Sequence, residues 1–364
     1  MAPFLNHFKN KKVFVTGHTG FKGAWLSLWL TTLGAEVTGY SLAPPSTPSL
    51  FEALNLADHI AHIHGDILDP DRLGDAMRDT CPDIVFHLAA QALVLKSYTH
   101  PVDTVATNVI GSANVMEAVR NTNSVRTLVS ITTDKCYDNL EQPWGYREND
   151  PLGGHDPYSA SKAAMEIICA SWNKSFFKPE GRVAAATARA GNVIGGGDFG
   201  EHRLIPDYVR AVLENRPLQI RMPHAVRPWQ HVLEPLSGYL WLAVMLDSAP
   251  GTFGGAWNFA PADNACSVRE LVETVKKVHR VGDWLDASTT AASHEAAMLK
   301  LCSDKAASLL KWKAILDVEM TVAMTMQGYM PFIGNTPSDT LEVCRAQMAQ
   351  YTSLAAQKGM AWAS

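Results

Sequence analysis

The sequence has no apolar run of bilayer length, no Cys-x-x-Cys pair and no excess of basic charge, and each absence removes a class of function. A membrane-spanning helix needs about 20 consecutive, largely apolar residues. None occur, and the N-terminus lacks the charged-then-apolar layout of a secretory signal. The six cysteines, at 81, 136, 169, 266, 302 and 344, are scattered. Such scatter fits neither a disulfide framework nor a zinc site, and it suits a reducing, cytoplasmic setting. The formal net charge is -5, and the one basic run, residues 9–12, leads straight into an apolar strand as a solvated lead-in. A nucleic-acid footprint is therefore not expected. His59, His62 and His64 lie around a predicted strand without a carboxylate or thiolate at ligand spacing, so no metal site is expected.

What is present is a core. Of the 364 residues 47% are hydrophobic and 18% charged, which suits one large globular domain or two medium ones. The apolar stretch at 11–16 reads as a strand, and 20–33 carries helical periodicity that Gly34 stops. Further strands are expected at 36–42, 61–64, 83–88, 125–132 and 183–188. Helices are expected at 69–79, 102–121 and 157–177, the last with Pro157 in its first turn. This alternation predicts an α/β fold, a Rossmann-type doubly wound parallel sheet with helices on both faces. Beyond about residue 190 the alternation weakens. The expected division is a dinucleotide-binding domain at 1–190 to which later strands return, a smaller C-terminal substrate-binding region at 191–330, and a helical tail at 331–364.

Thr16-Gly17-His18-Thr19-Gly20-Phe21-Lys22-Gly23 sets a Gly-x-x-Gly-x-x-Gly loop between the first strand and the first helix. A tight turn, close approach of backbone to a pyrophosphate, and close helix–sheet packing each call for glycine there. The opening amides of the helix then face the phosphates. Gly17, Gly20, Phe21 and Gly23 are the expected cofactor contacts. The second strand ends Tyr40-Ser41-Leu42, without the acid that usually binds the adenosine ribose, so NAD is expected with NADP not excluded. Lys22 and His18 are either cations for a 2′-phosphate or solvent-facing loop residues. Asp66 either accepts from the adenine amino group or caps the helix that begins near Asp69-Pro70.

Tyr158 and Lys162 lie four residues apart on one helical face. A nearby cation favours a phenolate, so Lys162 is expected to lower the Tyr158 pKa while also holding the nicotinamide ribose. The glycine loop, Leu88-Ala89-Ala90, Asn108, Thr132-Thr133-Asp134 and Tyr158-x-x-x-Lys162 together resemble the extended short-chain dehydrogenase/reductase family, over about residues 11–330. The resemblance implies that Thr133 assists a sugar 4-hydroxyl, Tyr158 is the base for hydride removal and Lys162 orients both tyrosine and cofactor. It also implies cofactor contacts from Asp66, Ile67, Leu88, Ala89, Ala90 and Asn108, and a nucleotide-sugar substrate. A homodimer or dimer of dimers, formed through the helices at 102–121 and 157–177, follows from the same likeness.

Thr132-Thr133-Asp134-Lys135-Cys136-Tyr137 narrows the branch. Epimerases of the family tend to have small neutral residues after the catalytic Ser or Thr, whereas its 4,6-dehydratases place acid there, typically Asp then Glu. Dehydration needs it: once C4 is a ketone, a base takes the acidified C5 proton and an acid protonates the departing C6 hydroxyl. Asp134 matches the general acid, and Lys135 stands where the Glu base usually does. Thr-Asp-Lys, the segment at 227–235 and the acid-free end of the second strand resemble the dehydratases of CDP-glucose more than those of dTDP-glucose or GDP-mannose. Lys135 is expected to take the C5 proton as a neutral amine or to fix a water that does, the alternative being a lysine paired with Asp134.

By the same resemblance Gln91, Thr133, Asn192, Arg203, Leu204 and Arg227 contact the substrate, Arg227 at its diphosphate. Gly195-Gly196-Gly197-Asp198 reads as a closing loop or a surface turn. Trp229 and Trp241 are candidates for base stacking, with core packing favoured for Trp241. The expected reaction converts CDP-glucose to its 4-keto-6-deoxy form and water in deoxysugar biosynthesis. The alternatives are a 4-epimerase, a dehydratase of another nucleotide sugar, and a non-catalytic dinucleotide sensor.

Overall fold

Strands that are apolar along their whole length cannot face water on either side, and here they pair in parallel with helices over both faces. The computed structural model describes residues 3–177, 182–261, 265–279, 282–288 and 298–363. Seven strands form the main sheet: β1 (Lys12–Thr16), β2 (Glu36–Ser41), β3 (Ala61–His64), β4 (Ile84–His87), β5 (Thr127–Ile131), β6 (Ala184–Arg189) and β7 (Gly255–Asn258). Their order is β7-β6-β5-β4-β1-β2-β3, all parallel. The direction of winding reverses between β1 and β4, and a crevice at that switch point is where ligands of such sheets bind.

The long helices are α1 (Phe21–Thr32), α2 (Pro70–Thr80), α3 (Gly111–Asn121), α4 (Pro157–Trp172), α5 (Leu204–Leu213), α6 (Leu233–Ser248), α7 (Val268–His279), α8 (Val318–Ile333) and α9 (Thr340–Gln357). Alternate strand residues point to opposite faces. Val13, Val15, Phe86, Val129 and Ile131 accordingly pack with Trp25 and Leu28 of α1 and Leu236 and Leu240 of α6. Phe14, Val85 and Leu128 pack with Leu73 of α2, Val115 and Val119 of α3 and Met165 of α4.

The helix predicted at 102–121 starts instead at Pro101–Val105 and passes through a π turn, Ala106–Ile110, before α3. The helix predicted at 157–177 ends in a second π turn, Asn173–Phe177. Such turns often mark functional sites, and the first one carries Asn108 inward. A short helix at Val94–Thr99 has no periodic signal to announce it.

After β6 the chain builds three two-stranded pieces around a second core of Ile205, Tyr208, Leu271, Val272, Val322 and Tyr329. It also returns α6 and β7 to the main sheet. The C-terminal helix α9 folds back so that Tyr351 meets Trp29 of α1 at 6.0 Å, and Trp362 stacks on Phe4 at 4.9 Å. Among the described residues no helix is long and apolar enough to cross a membrane.

Candidate active site

The first glycine turn is fixed by space. Gly17 has φ +77°, and a Cβ there would sit 2.6 Å from the Ala89 amide nitrogen. A Cβ on Gly23 would lie 2.1 Å from the Gly17 carbonyl oxygen. Helix α1 thus starts hard against the loop that follows β4, with Gly20 as its N-cap and no side chain occupying the cap. Its opening amides are left for a ligand of negative charge. The Thr16 hydroxyl accepts from the Leu88 and Ala89 amides at 3.2 Å each and meets His87 Nδ1 at 2.7 Å. These glycines and amides fit a dinucleotide's pyrophosphate.

The end of β2 differs from both sequence alternatives for His18 and Lys22. His18 is buried flat over Gly39 and bonds His62 Nδ1 at 2.7 Å; burial holds its pKa down to about 3, so it is neutral. Lys22 turns the other way. Burial first, then Arg203, lowers its pKa to about 8, and Asp134, Lys162 and Asp198 are its other charged neighbours. Neither residue is a solvent-facing loop side chain, and neither offers a cation for a 2′-phosphate at the adenosine end. Asp66 accepts from the Leu68 amide at 2.9 Å, while Asp69 caps α2 through the Arg72 amide at 3.0 Å. The helix-capping alternative for Asp66 is therefore excluded. Ile67 is buried, and its carbonyl accepts from Asn114 at 2.9 Å.

From the π turn, Asn108 clamps the loop after Ala90. Its Oδ1 accepts from the Gln91 amide at 2.9 Å, and its Nδ2 donates to the Gln91 carbonyl at 3.0 Å and to Ser161 Oγ of α4 at 2.8 Å. Gln91 bonds Leu93 and Thr104 with its own side chain, at 2.6–3.0 Å, and so holds the turn into the next helix.

The catalytic candidates meet at the end of β5. Thr133 Oγ1 donates to Asp134 Oδ1 at 2.9 Å, and Thr133 also acts on the Tyr158 phenol, lowering its pKa against the larger effect of burial. Asp134 is 0% exposed and lies so close over Gly191 that a Cβ there would be 1.9 Å from its Oδ2. Asn192 Nδ2 donates to that Oδ2 at 3.5 Å, and Lys135 Nζ is 3.7 Å from Oδ1 with its side chain 33% exposed. Tyr158 sits in the first turn of α4, which Asp156 caps through the Ser159 amide at 2.9 Å. Burial pushes the phenol up to about 12, against the lowering expected from Lys162. Burial also brings Lys162 down to about 8, and its Nζ donates to the Ile131 carbonyl at 3.4 Å. Desolvation of the phenol outweighs the lowering by Thr133 and by the Arg203 charge.

Arg203 is held by Asp198, with Nη1 donating to both carboxylate oxygens at 3.0 and 2.9 Å, and its charge reaches Tyr158. Leu204 opens α5 directly after it. Gly195-Gly196-Gly197-Asp198 is neither a closing loop nor a surface turn: all four residues are buried. Trp25 Nε1 donates to the Gly196 carbonyl at 3.0 Å, and a Cβ on Gly196 would lie 2.3 Å from the Gly328 backbone of α8. Arg227 lies on a strand paired with Ala265–Ser267 and donates to the Val226 carbonyl at 2.9 Å. Trp229 and Trp241 both belong to buried cores, their indoles bonded to the carbonyls of Cys266 and Leu310.

One network behind the site escaped the sequence reading. Glu166, one turn beyond Lys162 on α4, accepts from Thr132, from Thr187 at 2.7 Å and from Arg189 Nε and Nη2 at 2.9 and 2.8 Å. Arg189 Nη1 donates to the Tyr137 hydroxyl at 2.7 Å, and Tyr137 donates to Asn258 of β7 at 2.8 Å. The catalytic turn at 132–137 is thereby tied to α4, β6 and β7. The only sequence signal was Glu166 as the one acid within Pro157–Trp172.

A family model described as the NAD dependent epimerase/dehydratase family matches residues 13–258. The chain is 44% identical over 356 residues to the CDP-glucose 4,6-dehydratase of Salmonella typhimurium, covering 96% of this chain and 98% of that one. A UDP-glucose 4-epimerase from Brucella ovis, solved with NAD, superposes with a TM-score of 0.76 at 20% identity over 89% of this chain and 98% of that one. A dTDP-glucose 4,6-dehydratase from Bacillus anthracis, also solved with NAD, gives 0.73 at 21% identity over 87% and 96%. At those identities the two structures speak for the fold.

Proposed function

The chain belongs to the NAD dependent epimerase/dehydratase family, and from that premise we propose that it dehydrates CDP-glucose to the 4-keto-6-deoxy sugar and water. The observation that carries the reading is Asp134, a fully buried carboxyl bonded to the Thr133 hydroxyl. Elimination across C5 and C6 needs such an acid; inversion at C4 does not. The relative at 44% identity supports both the reaction and the cytidine nucleotide.

Gly17, Gly20, Phe21, Gly23, Asp66, Ile67, Leu88, Ala89, Ala90 and Asn108 would hold NAD, which would supply the reversible hydride chemistry between C4 and C6. Tyr158 takes the 4-hydroxyl proton, Thr133 holds that oxygen, and Lys162 fixes the ribose. Lys135 removes the C5 proton and later restores it, and Asp134 protonates the leaving 6-hydroxyl. Gln91, Asn192, Arg203, Leu204 and Arg227 position the substrate. The protein dimerises through exposed apolar side chains on two neighbouring helical segments, Val102, Val105 and Ile110 on one and Ile167 and Phe176 on the other.

Two variants test the roles. Tyr158→Phe abolishes water release, a loss of about 10²–10⁴ in turnover, with NAD affinity preserved by calorimetry. Wild-type turnover would remove the phenol from the chemistry. Lys135→Ala stops solvent deuterium entering C5 of the product; undiminished entry would show that another group is the base.

A further inference from the structure

The backbone at Gly191 does not call for glycine. Its φ lies outside the left-handed region, whereas its neighbour Asn192, at +47°, lies inside it. What bars a side chain at 191 is space. A Cβ there would sit 1.9 Å from Asp134 Oδ2, 2.3 Å from its Cγ and 2.9 Å from its Oδ1, so the three nearest atoms all belong to one carboxyl. Nor can this stretch of chain back away. Gln230, 0% exposed, donates from Nε2 to the Gly191 carbonyl at 3.2 Å and to the Phe259 carbonyl at 3.0 Å. Its amide donates to the Asn192 carbonyl at 3.3 Å, and the Phe259 amide donates to the Arg189 carbonyl at 2.8 Å.

We infer that Gly191 is a positioning residue for the dehydration: its bare Cα makes the berth that aligns the Asp134 carboxyl as the acid of the elimination, and Gln230 fixes that berth. The inference rests on the dehydratase reading. In the berth both carboxyl oxygens have partners. Oδ1 accepts from Thr133 at 2.9 Å and lies 3.7 Å from Lys135 Nζ, while Oδ2 accepts from Asn192 at 3.5 Å. A methyl group at 191 meets a clamped backbone on its own side and a short side chain on the other. The side chain is the softer of the two, because it turns about two single bonds. The carboxyl therefore swings off its partners while the fold stays.

A misplaced acid harms one step only. Oxidation at C4 sends the 4-hydroxyl proton to Tyr158 and the C4 hydrogen to the nicotinamide as hydride, and no acid is used. Elimination then moves the C5 proton to Lys135 and breaks the C6–O bond, and the oxygen needs a proton from Asp134 to depart as water. Without that proton the reaction halts with C4 oxidised and the hydroxyl still on C6. General loosening of the site would slow both steps together.

The test uses the full chain with NAD and CDP-glucose, comparing Gly191→Ala, Asp134→Ala and the double variant with wild type. Water loss is read by mass spectrometry, reduced nicotinamide by its near-ultraviolet absorbance, and stability by urea unfolding. Gly191→Ala and Asp134→Ala should each lose about a hundredfold or more in water loss, and both should accumulate reduced nicotinamide on addition of substrate. The double variant should lose no more than Asp134→Ala alone, since both changes act through one carboxyl. It should also resist urea better than Gly191→Ala, because the added methyl group takes the space the carboxyl has left. Should Gly191→Ala fail to fold, recovery of folding in the double variant would carry the steric claim, and failure of both would refute it. Near-wild-type water loss in Gly191→Ala, loss of C4 oxidation along with it, or losses that multiply in the double variant would overturn the inference. Failure of wild type to release water from CDP-glucose would instead bring down the dehydratase reading itself.

Discussion

Glu166 and Glu234 are both buried, under opposite faces of the main sheet, but only Glu166 is hydrogen-bonded to a cation. Lys358 acts on Glu234 through its charge alone, and more weakly than burial or the hydrogen bonds that Glu234 accepts. Arg189 pairs with Glu166 at 2.8 Å, and although burial works against the guanidinium, that carboxylate holds it above its ordinary value. Glu234, at the start of α6, has mostly neutral donors: the Ile315 and Leu316 amides at 2.8 and 2.7 Å, and the Tyr351 hydroxyl at 2.6 Å. Burial pushes its pKa up to about 7. The first acid braces the turn that carries Thr133 and Asp134. The second fastens the C-terminal helix and the loop before α8. The region under the chemistry is thus built on a fixed charge, whereas the fastening of the tail has a charge that changes near neutral pH.

Glu166→Gln should break this contrast most severely, because it leaves Arg189 buried without a counter-ion. Removing one partner of such a pair costs about 3–5 kcal/mol. Urea unfolding should register that loss, and turnover should fall as the 132–137 turn loosens. A loss under about 1 kcal/mol, the range of an exposed pair, would mean that Arg189 reaches solvent or another acid.

Glu234→Gln should do less, and its effect has a pH sign. The carboxyl is protonated more readily when folded than at its ordinary 4.5, so the folded state binds the extra proton between about 4.5 and 7. Stability from this group is full below that window and declines as pH rises through it, by roughly 3 kcal/mol in all at about 1.4 kcal/mol per unit. The glutamine variant should lack that decline. A variant whose unfolding free energy follows the wild-type slope from pH 4.5 to 7 would show that Glu234 does not titrate there.

The same contrast marks what the sequence could disclose. The glycine turn, the Thr133-Asp134 step and the Tyr158–Lys162 pair are contiguous motifs whose spacing reflects one turn of chain, so they could be read before any fold was known. The Glu166–Arg189 pair joins residues 23 apart on a helix and a strand, and exists only once α4 lies on β6. Lys22, in the first turn of α1, could not be placed because a side chain's direction depends on what surrounds it, here Arg203 and Asp198 from far along the chain. Gly195 to Asp198 read as a closing loop or a surface turn from composition alone. In the fold those glycines are small because α1 and α8 press on them. The expectation of a plain helical tail likewise gave no place to Tyr351 and Trp362, which pack onto α1 and its neighbours.

Water loss from the right nucleotide sugar tests the account most directly. The protein with NAD is offered CDP-, dTDP-, UDP- and GDP-glucose together, and each is followed by mass spectrometry. CDP-glucose should lose one water well ahead of the others, giving a product with a methyl group at C6. An unchanged mass with inversion at C4, water loss led by another nucleotide, or no reaction with any of the four would contradict the assignment.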